Sequence, residues 1–541
     1  MQNQSNDREL TRRQMLERGA ALGVASIALP ALLAACGSGA DEAGTTGATG
    51  TDAATTTAGA GTYGGSLRAG FVGGGPAETL DPHNSLSFID AARAKNLFDK
   101  LTDYNTDLSM QYMLAESMEP NTDATVWQIK LRDGVTFHDG KPLTAKDVMW
   151  SIQRNLDPDQ ALQGAVDLAP VDVSKTKVVN DLELELHLLQ PIADVPTMFA
   201  ARTLSIIQDG ATAEQLATNP IGTGPFKHRA FTAGERAEMD ANKDYWLKGR
   251  PYVDELVFVS IPDNTARLNA LLGGQLDCIE NLEFAQAKAR ENSGEIQIIR
   301  APGSNMVPIT MDATRKPFDD PRVRQAMRLI ADREKLLETA FFGFGQLGND
   351  VYGKGLPFYN DTLPQRTADP EQALALLKEA GAADETFVLT TSQAAPGMLE
   401  SATLFAEQAR AIGVKIELDK TPADTFYTNK YMQVPFCQTQ WGTQSIESQI
   451  AQGLLTNSPY NETGWKSTSF DERFAEARGT LDEASRQEQY FALQQELYDD
   501  GGYLIWGFND WVDAASPQLQ GIQASPIFAL GWYNFKEFWL G

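Results

Sequence analysis

From Tyr63 onward the chain alternates short runs of apolar or β-branched residues with segments in which apolar residues recur every three to four positions. The recurring pattern is typical of helices with one buried face, whereas the short runs predict buried strands. Strands that alternate with helices indicate an α/β protein. The clearest strand runs are Ser66–Val72, Thr125–Leu131, Leu182–Leu189 and Glu255–Ile261.

Two helices are marked by the residues that begin them. Asp320 and Asp369 each stand directly before a proline, which is the order expected for an N-cap and the first helical position. Gly381 would end the second helix. We expect both helices to pack against a core through these apolar positions: Val323, Ala326, Met327 and Ile330 in the first, and Ala373, Leu374 and Leu377 in the second.

Composition and charge narrow the class of protein. With 541 residues, 42% of them hydrophobic and 22% charged, the chain predicts two or three globular units that fold in water. No unit of 20 to 50 residues repeats, which disfavours a solenoid or propeller. The formal charge of -27, without a compensating run of Lys and Arg, excludes nucleic acid as a favoured partner.

The residues that usually ligate metals are scarce. Three cysteines are too few for a disulfide framework or a four-cysteine zinc site, and we expect Cys278 and Cys437 to be buried as small hydrophobic residues. The four histidines match no metalloprotease or hydrolase signature, and we expect His83 and His138 to be hydrogen-bonded structural residues. The sequence therefore predicts no catalytic residue, no metal site and no cofactor.

The first 64 residues predict an export signal and a tether. Arg12 and Arg13 precede an uncharged run that ends at Ala35, and Cys36 follows in the sequence LAACG. This order resembles a twin-arginine signal with a bacterial lipoprotein box, so residues 1–35 would be removed and Cys36 lipidated. The Gly, Ala and Thr-rich stretch 36–64 predicts a flexible linker. The protein would then be anchored by lipid to the outer face of the cell membrane, or in the periplasm, without spanning the membrane.

A longer resemblance begins at Val126. The stretch VWQIKLRDGVTFHDGKPLTAKDVMWSIQR reads as a strand, a turn, a second strand, a turn at Asp139-Gly140 and a helix capped by Thr144. It closely resembles the signature of the family 5 extracellular solute-binding proteins, the oligopeptide, dipeptide and nickel receptors of ABC importers. Further matches follow in the order of that family: LDPHNS, NLFDKLTDY, LAESMEP, NPIGTGPFK, NKDYW, KPFDDPRVRQAM and LLKEAG.

The resemblance implies a two-lobed periplasmic-binding-protein fold of the α/β class, with a hinge and an enlarged first lobe. Lobe I would comprise residues 65–300, with an inserted subdomain at about 96–219. Lobe II would comprise residues 301–508, and residues 509–541 would return to lobe I. The implied function is capture of peptides or peptide-like polar solutes outside the cytoplasm. A monomer of this kind delivers them to an ABC permease and its ATPase subunits, and is not an enzyme.

Other functions remain open at this point. A receptor for an opine, an oligosaccharide or a metal chelate would share the fold. A surface-tethered chaperone or adhesin would show an exposed apolar patch in place of a cleft, and a hydrolase would need a pair of carboxylates placed by the fold. The stretch GFGQLG at 343–348 fits a dinucleotide-binding pattern, but it follows a helix and opens none. We expect it to be a loop whose glycines allow close approach of the backbone.

The resemblance also implies a binding site. Ser87 and Phe88 lie in the loop after LDPHNS, which contacts ligand in the peptide receptors of this family. Trp441, in QTQWGTQSIE, aligns with a tryptophan of lobe II that is followed three residues later by an aspartate for the α-ammonium group of the peptide. That position is Gln444 here, and Gln438 is neutral where some receptors carry an arginine. Neutral amides favour a neutral or differently charged polar solute.

Several other residues complete the predicted site. Asp312 is either a replacement for the missing anion or a cap at the end of a strand, and Glu447 is the second candidate for that anion. Asn461 and Thr463, in NETGW, align with a segment that lines the cleft in oligopeptide receptors. The predicted solute contacts are thus Ser87, Phe88, Asp312, Gln438, Trp441, Gln444, Asn461 and Thr463.

Overall fold

A computed structural model of the protein describes residues 61–85 and 87–541. The predicted signal, the predicted lipid attachment at Cys36 and most of the predicted linker lie outside these residues. Within them, no helix is both long enough and apolar enough to cross a membrane.

Fifteen helices and twenty-one strands define the fold of this part of the chain. The helices are α1 Phe88–Leu97, α2 Ala145–Leu156, α3 Gly164–Leu168, α4 Val195–Phe199, α5 Ala213–Thr218, α6 Asn264–Leu272, α7 Phe284–Arg290, α8 Pro321–Ile330, α9 Arg333–Phe341, α10 Pro370–Glu379, α11 Met398–Ala411, α12 Ala423–Asn429, α13 Ile446–Gly453, α14 Thr468–Gly479 and α15 Glu483–Asp500. Single helical turns at Gly75–Ala77, Pro82–Asn84, Ala529–Tyr533 and Phe535–Glu537 complete the helical structure.

The strands fall into two large sheets, one smaller sheet and two short pairs. They are β1 Ser66–Phe71, β2 Thr102–Tyr104, β3 Met110–Tyr112, β4 Ala115–Pro120, β5 Val126–Leu131, β6 Lys177–Asn180, β7 Glu183–His187, β8 Phe226–Thr232, β9 Arg236–Ala241, β10 Glu255–Ser260, β11 Cys278–Ile279, β12 Gln297–Asn305, β13 Ile309–Met311, β14 Gly345–Leu347, β15 Thr386–Ser392, β16 Lys415–Thr421, β17 Phe436–Gln438, β18 Tyr503–Leu504, β19 Gly507–Ala515, β20 Leu519–Gln520 and β21 Trp539–Leu540.

The first large sheet belongs to lobe I and has the order β12-β19-β11-β1-β10-β9-β8, with β14 added at β19. Strand β1 is parallel to both of its neighbours, whereas the outer strands are antiparallel. Alternate residues of β1, Leu67, Ala69 and Phe71, are fully buried in the lobe I core, as the period of a strand requires. A separate antiparallel sheet, β4-β5-β7-β6, has its own core around Trp127 and Val148 and enlarges this lobe.

The second large sheet belongs to lobe II and has the order β16-β15-β17-β13-β18. Helices α8 to α11 pack on one face, where Met327, Phe405 and Trp506 are buried. Helices α13 to α15 pack with the opposite face in a second cluster, which includes Trp441 and Tyr503. The two faces are therefore covered by different sets of helices.

Strands β12 and β19 carry the chain between the two lobes. They pair antiparallel from Gln297 and Ala515 to Asn305 and Asn509. At Gly303 an added Cβ would lie 2.6 Å from the carbonyl oxygen of Asn509, so only glycine permits this approach. The crossing strands are thus closely packed where the lobes meet.

The lobes also touch away from the crossing strands. The backbone N–H of Ala193, just before α4, donates a 2.8 Å hydrogen bond to the carbonyl of Arg478 in α14. Pro191 packs beside Gly479, the last residue of the same helix. Leu108 contacts both the lobe I core and the lobe II cluster that contains Trp441. Together with the crossing strands, these contacts hold the two lobes against each other.

Local sequence patterns located most of the elements correctly. The four predicted strand runs contain β1, β5, β7 and β10, and helices α8 and α10 begin at Pro321 and Pro370 after hydrogen-bonded aspartate caps. Leu374 is only partly buried, whereas Ala373 and Leu377 are in the core. The prediction of a second strand after Val126–Leu131 is wrong, because a single bridge between Thr136 and Pro142 replaces it.

The GFGQLG stretch is partly a strand, so the prediction of a loop is wrong for Gly345–Leu347, which pairs with β19. The predicted reason for its glycines, close approach of the backbone, is confirmed for Gly345 and Gly348 but not for Gly343, which has open space around it. An added Cβ at Gly345 would lie 2.4 Å from the carbonyl oxygen of Phe508, and one at Gly348 would lie 2.2 Å from that of Ile505. Cys278 and Cys437 are buried in different lobes and carry free thiols, as expected for small hydrophobic residues.

Candidate functional site

The segment around Trp441 lies where the lobe II sheet meets the crossing strands. Strand β17 ends at Gln438, and the backbone of Trp441 then forms an isolated antiparallel bridge with Met306, with both N–H···O distances at 3.0 Å. Met306 directly follows the crossing strand β12. Trp441 is therefore joined to the end of the crossing strand β12, beside the point where the chain enters lobe II.

The loop that follows Trp441 is fixed by side chains from two other segments. The hydroxyl oxygen of Tyr352 accepts a 2.7 Å hydrogen bond from the backbone N–H of Gln444 and lies 3.0 Å from the carbonyl oxygen of Gly442. The amide oxygen of Asn305 accepts from the N–H of Thr443 at 2.9 Å. The backbone of the loop is thus satisfied, and in the side chain of Gln444 the amide oxygen accepts a 3.4 Å hydrogen bond from Ser448 while the amide nitrogen has no partner.

A buried carboxyl group accompanies the indole of Trp441. Trp441 Nε1 and the hydroxyl of Tyr503 each donate a 2.7 Å hydrogen bond to Oε1 of Glu462. Glu462 is 7% exposed, and its burial raises the pKa of the carboxyl to about 7, although the two donors oppose this shift. The sequence predicted solute contacts at the residues on either side, Asn461 and Thr463, but not at Glu462.

Unpartnered polar atoms concentrate in the same segment. Fifteen buried side-chain N or O atoms of the described residues lack a hydrogen-bond partner, and five of them lie between Trp441 and Thr463. Gln449 is 1% exposed, yet neither atom of its amide has a partner. Burying an amide without a hydrogen bond costs on the order of 1–3 kcal/mol, so such atoms need water or a bound molecule. The five atoms are Gln444 Nε2, Gln449 Nε2 and Oε1, Thr456 Oγ1 and Glu462 Oε2.

Aromatic residues form a half-buried cluster on the side of lobe I. Phe88, at the start of α1, packs edge-on against Trp511 and Phe528 with ring centroids 5.9 and 5.6 Å apart. Trp511 lies on the crossing strand β19, and its ring passes close to Gly303. The side chain of Ser87 is engaged in capping α1, with its hydroxyl 2.6 Å from a carboxylate oxygen of Asp90. Phe88 is therefore the predicted residue of this loop that offers an apolar surface.

Gln438 does not reach the surface around Trp441. It is fully buried, its amide oxygen accepts from the hydroxyl of Thr391, and its amide nitrogen donates to Ser401 of α11. Since successive residues of a strand face opposite sides of the sheet, Gln438 shares a face with Phe436 and the lobe II core. The structure places this residue in the interior of lobe II.

Asp312, Asn461 and Thr463 are also engaged within the protein. A carboxylate oxygen of Asp312 accepts from the N–H and the hydroxyl of Thr314, at 3.0 and 2.6 Å, which makes it a strand-end cap. The amide of Asn461 donates to two backbone carbonyls, and Thr463 is fully buried. The structure therefore does not bring these three side chains together around Trp441.

Glu447, the other candidate anion, is paired within lobe II. Its carboxylate accepts a 2.5 Å hydrogen bond from Arg478 Nε, and burial raises the pKa of the carboxyl. An anion that is already neutralised by an arginine has little free capacity for a cation. Of the residues considered in place of the missing aspartate, neither Asp312 nor Glu447 has an unpartnered buried oxygen.

His83 and His138 make structural hydrogen bonds. His83 is fully buried and lies 2.8 Å from the carbonyl oxygen of Ser205, and His138 Nε2 lies 3.0 Å from that of Gly224. Burial lowers the pKa of both imidazoles to about 4. Across residues 61–85 and 87–541, no three His, Cys, Asp or Glu side chains are grouped as metal ligands.

A charged cavity inside lobe I is the other polar site of note. Asp103 binds Lys95 and Lys100 and accepts a 2.6 Å hydrogen bond from Trp532 Nε1. Burial lowers the pKa of Lys95 to about 7. Asp103 offsets part of the positive charge of the two lysines, and the group lies in lobe I away from Trp441.

Comparison with known sequences decides the family. The chain matches "Bacterial extracellular solute-binding proteins, family 5 Middle" over residues 109–484, which is well over half of its length. The chain belongs to this family. As a family 5 protein it is a solute-binding protein.

Individual relatives agree with this assignment. The glutathione-binding protein GsiB of Pectobacterium atrosepticum is 25% identical over 469 residues, which cover 83% of this chain and 90% of that protein. Among solved structures, the ABC transporter substrate-binding protein CtaP of Listeria monocytogenes has a TM-score of 0.78 at 22% identity, covering 88% of this chain and 100% of that one. DppA of Helicobacter pylori, in complex with the peptide STSA, has a TM-score of 0.73 at 20% identity, covering 88% and 98%. The predicted two-lobed family 5 fold is confirmed.

Proposed function

We propose that this family 5 protein is the receptor of an ABC importer for short peptides or peptide-like polar solutes, which it captures outside the cytoplasm and delivers to a permease and its ATPase subunits. The observation that carries the proposal is the group of unpartnered polar atoms in the segment from Trp441 to Thr463. Its amide donors and acceptors match the N–H and C=O groups that a peptide backbone offers.

The contacts proposed for the solute come from both lobes. Trp441, Gln444 and Gln449 would supply an indole and two amides from lobe II, while Phe88 and Trp511 would supply an apolar surface from lobe I. A few convergent polar groups within aromatic walls are typical of small-molecule sites. Closure of the lobes would bury the solute and satisfy the amides at the same time.

The names of the relatives favour a peptide cargo. GsiB is called a glutathione-binding protein, and DppA was solved with a bound tetrapeptide, STSA. Glutathione and STSA are both short and polar, and each contains peptide groups. We therefore place short peptides ahead of opines, oligosaccharides and metal chelates, which remain the alternatives.

The predicted lipid anchor at Cys36 and the linker after it are part of the same proposal. Lipid attached to Cys36 would hold the monomeric receptor at the outer face of the membrane, where its linker would allow it to reach the permease. The variant Cys36→Ser should appear in the soluble fraction after cell lysis, whereas wild type remains with membranes. Membrane association of the variant would contradict a lipid anchor at this residue.

A thermal-shift panel tests the proposed cargo. Full-length protein is melted with trialanine, glutathione, N-acetyl-trialanine, octopine and maltotriose. A solute present at about 100 times its Kd, bound only by the folded state, stabilises the protein by about 2.7 kcal/mol. The proposal expects a shift with at least one peptide. A shift with octopine or maltotriose alone would show that the cargo belongs to the class of that solute and not to the peptides. No shift with any solute would contradict the proposal.

A further inference from the structure

The buried carboxyl groups of the protein differ in how their charge is compensated. Twelve Asp and Glu residues of the described chain are buried. Seven of them form ion pairs with Lys or Arg, as expected for charges removed from water. These seven are Glu78, Asp81, Asp90, Asp103, Asp277, Asp350 and Asp510.

The remaining five have no cationic partner within the described chain. Four of them, Asp99, Asp147, Glu280 and Asp513, accept hydrogen bonds on both carboxylate oxygens. Glu462 is different, because both of its hydrogen bonds reach Oε1 and Oε2 has none. In the part of the chain that the structure describes, it is the one buried carboxyl that lacks both a cation and a partner for one oxygen.

The groups that face Glu462 are neutral. The hydroxyls of Tyr431 and Thr439 lie close to the carboxyl and favour its ionised form as hydrogen-bond donors, but neither meets Oε2 with hydrogen-bond geometry. The surrounding tyrosines and Cys437 have pKa values raised above their ordinary range, mainly by burial, so they carry no charge near pH 7. The nearby cation Lys430 is paired with Asp419 at 2.7 Å. The facing groups with raised pKa values are Tyr427, Tyr431, Cys437, Tyr460 and Tyr503.

The position of Glu462 connects it to the proposed binding surface. Its Oε1 accepts from the indole of Trp441, against which the half-buried Tyr460 packs edge-on at 6.2 Å. Gly453 approaches the benzene ring of the same indole, and the unpartnered amide nitrogen of Gln449 lies beside Gly453. The carboxyl and this amide therefore lie along one edge of Trp441.

We infer that Glu462 is the anionic subsite for a primary ammonium group of the solute, with Oε2 as the acceptor. This inference rests on the proposed function and adds the charge that the solute must carry. An ammonium group would supply both the missing counter-charge and the missing hydrogen-bond donor. It would also place the acceptor for a free amino end at Glu462, in a receptor that has Gln444 where the family resemblance implies an aspartate.

Binding of paired peptides tests the inference. Trialanine and glutathione are compared with their N-acetylated forms, which lack the ammonium group, by isothermal titration calorimetry. Wild type should bind the free forms at least about tenfold more tightly, a factor that corresponds to about 1.4 kcal/mol. Glu462→Gln keeps an oxygen for Trp441 and Tyr503 but removes the charge, so its preference should fall below about threefold.

Asp99→Asn is the matched control, because Asp99 is also buried without a cation but has both oxygens engaged. This variant should keep the preference of wild type for the free peptides. Equal affinity of wild type for free and acetylated forms, or a full preference in Glu462→Gln, would overturn the inference while the peptide receptor stands. Absence of binding to every peptide form would instead contradict the proposed function.

A second measurement needs no substitution. Between pH 7.5 and 5.5 the Glu462 carboxyl gains its proton, since its pKa is about 7, while a peptide amine with a pKa of about 8 is mostly charged at pH 7.5 and becomes fully charged as the pH falls. Affinity for the free peptide should fall at least about fivefold more than affinity for the acetylated peptide. Parallel pH profiles for the two forms would overturn the inference even if Glu462→Gln does not fold.

Discussion

Trp441 Nε1 donates a 2.7 Å hydrogen bond to Glu462 Oε1, which joins the end of the lobe II sheet to a loop 21 residues further along the chain. The indole is 9% exposed and the carboxyl 7% exposed, so the bond is made away from bulk water. A hydrogen bond to a carboxyl in such surroundings is stronger than one on the surface. Trp441 and Glu462 therefore form one unit of the proposed site.

Replacing the indole N–H tests the importance of this unit. Trp441→Phe keeps an aromatic ring but removes the donor, and we expect a loss of about 1.5–3 kcal/mol in unfolding free energy, with a roughly tenfold or greater loss of peptide affinity. Denaturant unfolding and calorimetry measure the two effects. Trp150→Phe is the control, because Trp150 Nε1 donates to the carbonyl of Ala211 at 3.3 Å in lobe I. Unchanged peptide affinity in Trp441→Phe would remove the indole N–H from the site.

The raised pKa of Glu462 predicts a specific pH dependence of stability. The folded state holds its proton up to about pH 7, whereas the unfolded state releases it near 4.5. Because the folded state binds more protons between these values, the contribution of Glu462 to stability is present below pH 4.5 and is lost as the pH rises to 7.

Glu462→Gln should therefore gain stability relative to wild type between pH 5 and pH 8, by on the order of 2 kcal/mol, in the absence of solute. Glu280 and Asp513 also have carboxyl pKa values raised to about 7, and they titrate equally in both proteins. The difference between the two unfolding curves isolates Glu462. A constant difference across this pH range would show that the carboxyl titrates normally.

Two glycines near the crossing strands should differ in how much stability is lost when each is replaced by alanine. In Gly303→Ala the new Cβ would lie 2.6 Å from the backbone oxygen of Asn509, so the strands must move apart, at a cost of about 1–3 kcal/mol. In Gly442→Ala the nearest atom is 3.8 Å away, and the change should lie within about 0.5 kcal/mol. Thermal unfolding of both variants decides the point. Equal melting temperatures would mean that the close approach at Gly303 is not required.

A substitution at the contact between the lobes should affect closure of the lobes around a solute without changing the stability of the protein. An added Cβ at Gly479 would lie 2.7 Å from the Cβ of Pro191 in the other lobe. Gly479→Ala should weaken peptide binding several-fold, since solute is buried only when the lobes touch, while the melting temperature without solute changes little. Glu472→Ala, an exposed change in α14, should alter neither quantity. If Gly479→Ala binds as wild type does, the contact is not part of the bound state.

The elements predicted correctly from the sequence are those whose start or buried side is set by residues adjacent in the chain. Asp320-Pro321 fixes the start of α8 within two residues, and the alternation in Ser66–Phe71 sets which side of β1 is buried. The strand expected at Thr136 fails because its pairing is a single bridge, and the number of partners that a strand finds depends on the whole fold.

The site was predictable only in part, for physical reasons that particular residues illustrate. The resemblance led to the Trp441 segment, but Gln438 lies on the strand face that packs against Ser401. The local sequence did not indicate Glu462 as a site residue, because its hydrogen-bond donors Trp441 and Tyr503 are 21 and 41 residues away in the chain. Only the folded structure shows that this carboxyl is buried without a counter-charge.

The proposed binding site is tested most directly by a crystal structure of the complex with the tightest-binding peptide of the panel, which shows where the solute lies. We predict a peptide between the lobes. Its backbone groups should lie within hydrogen-bond distance, about 3.5 Å, of the Gln444 or Gln449 amides, and its amino end should lie at Glu462 Oε2. A peptide bound elsewhere, for example in the lobe I cavity lined by Lys95, Lys100 and Asp103, would contradict this prediction.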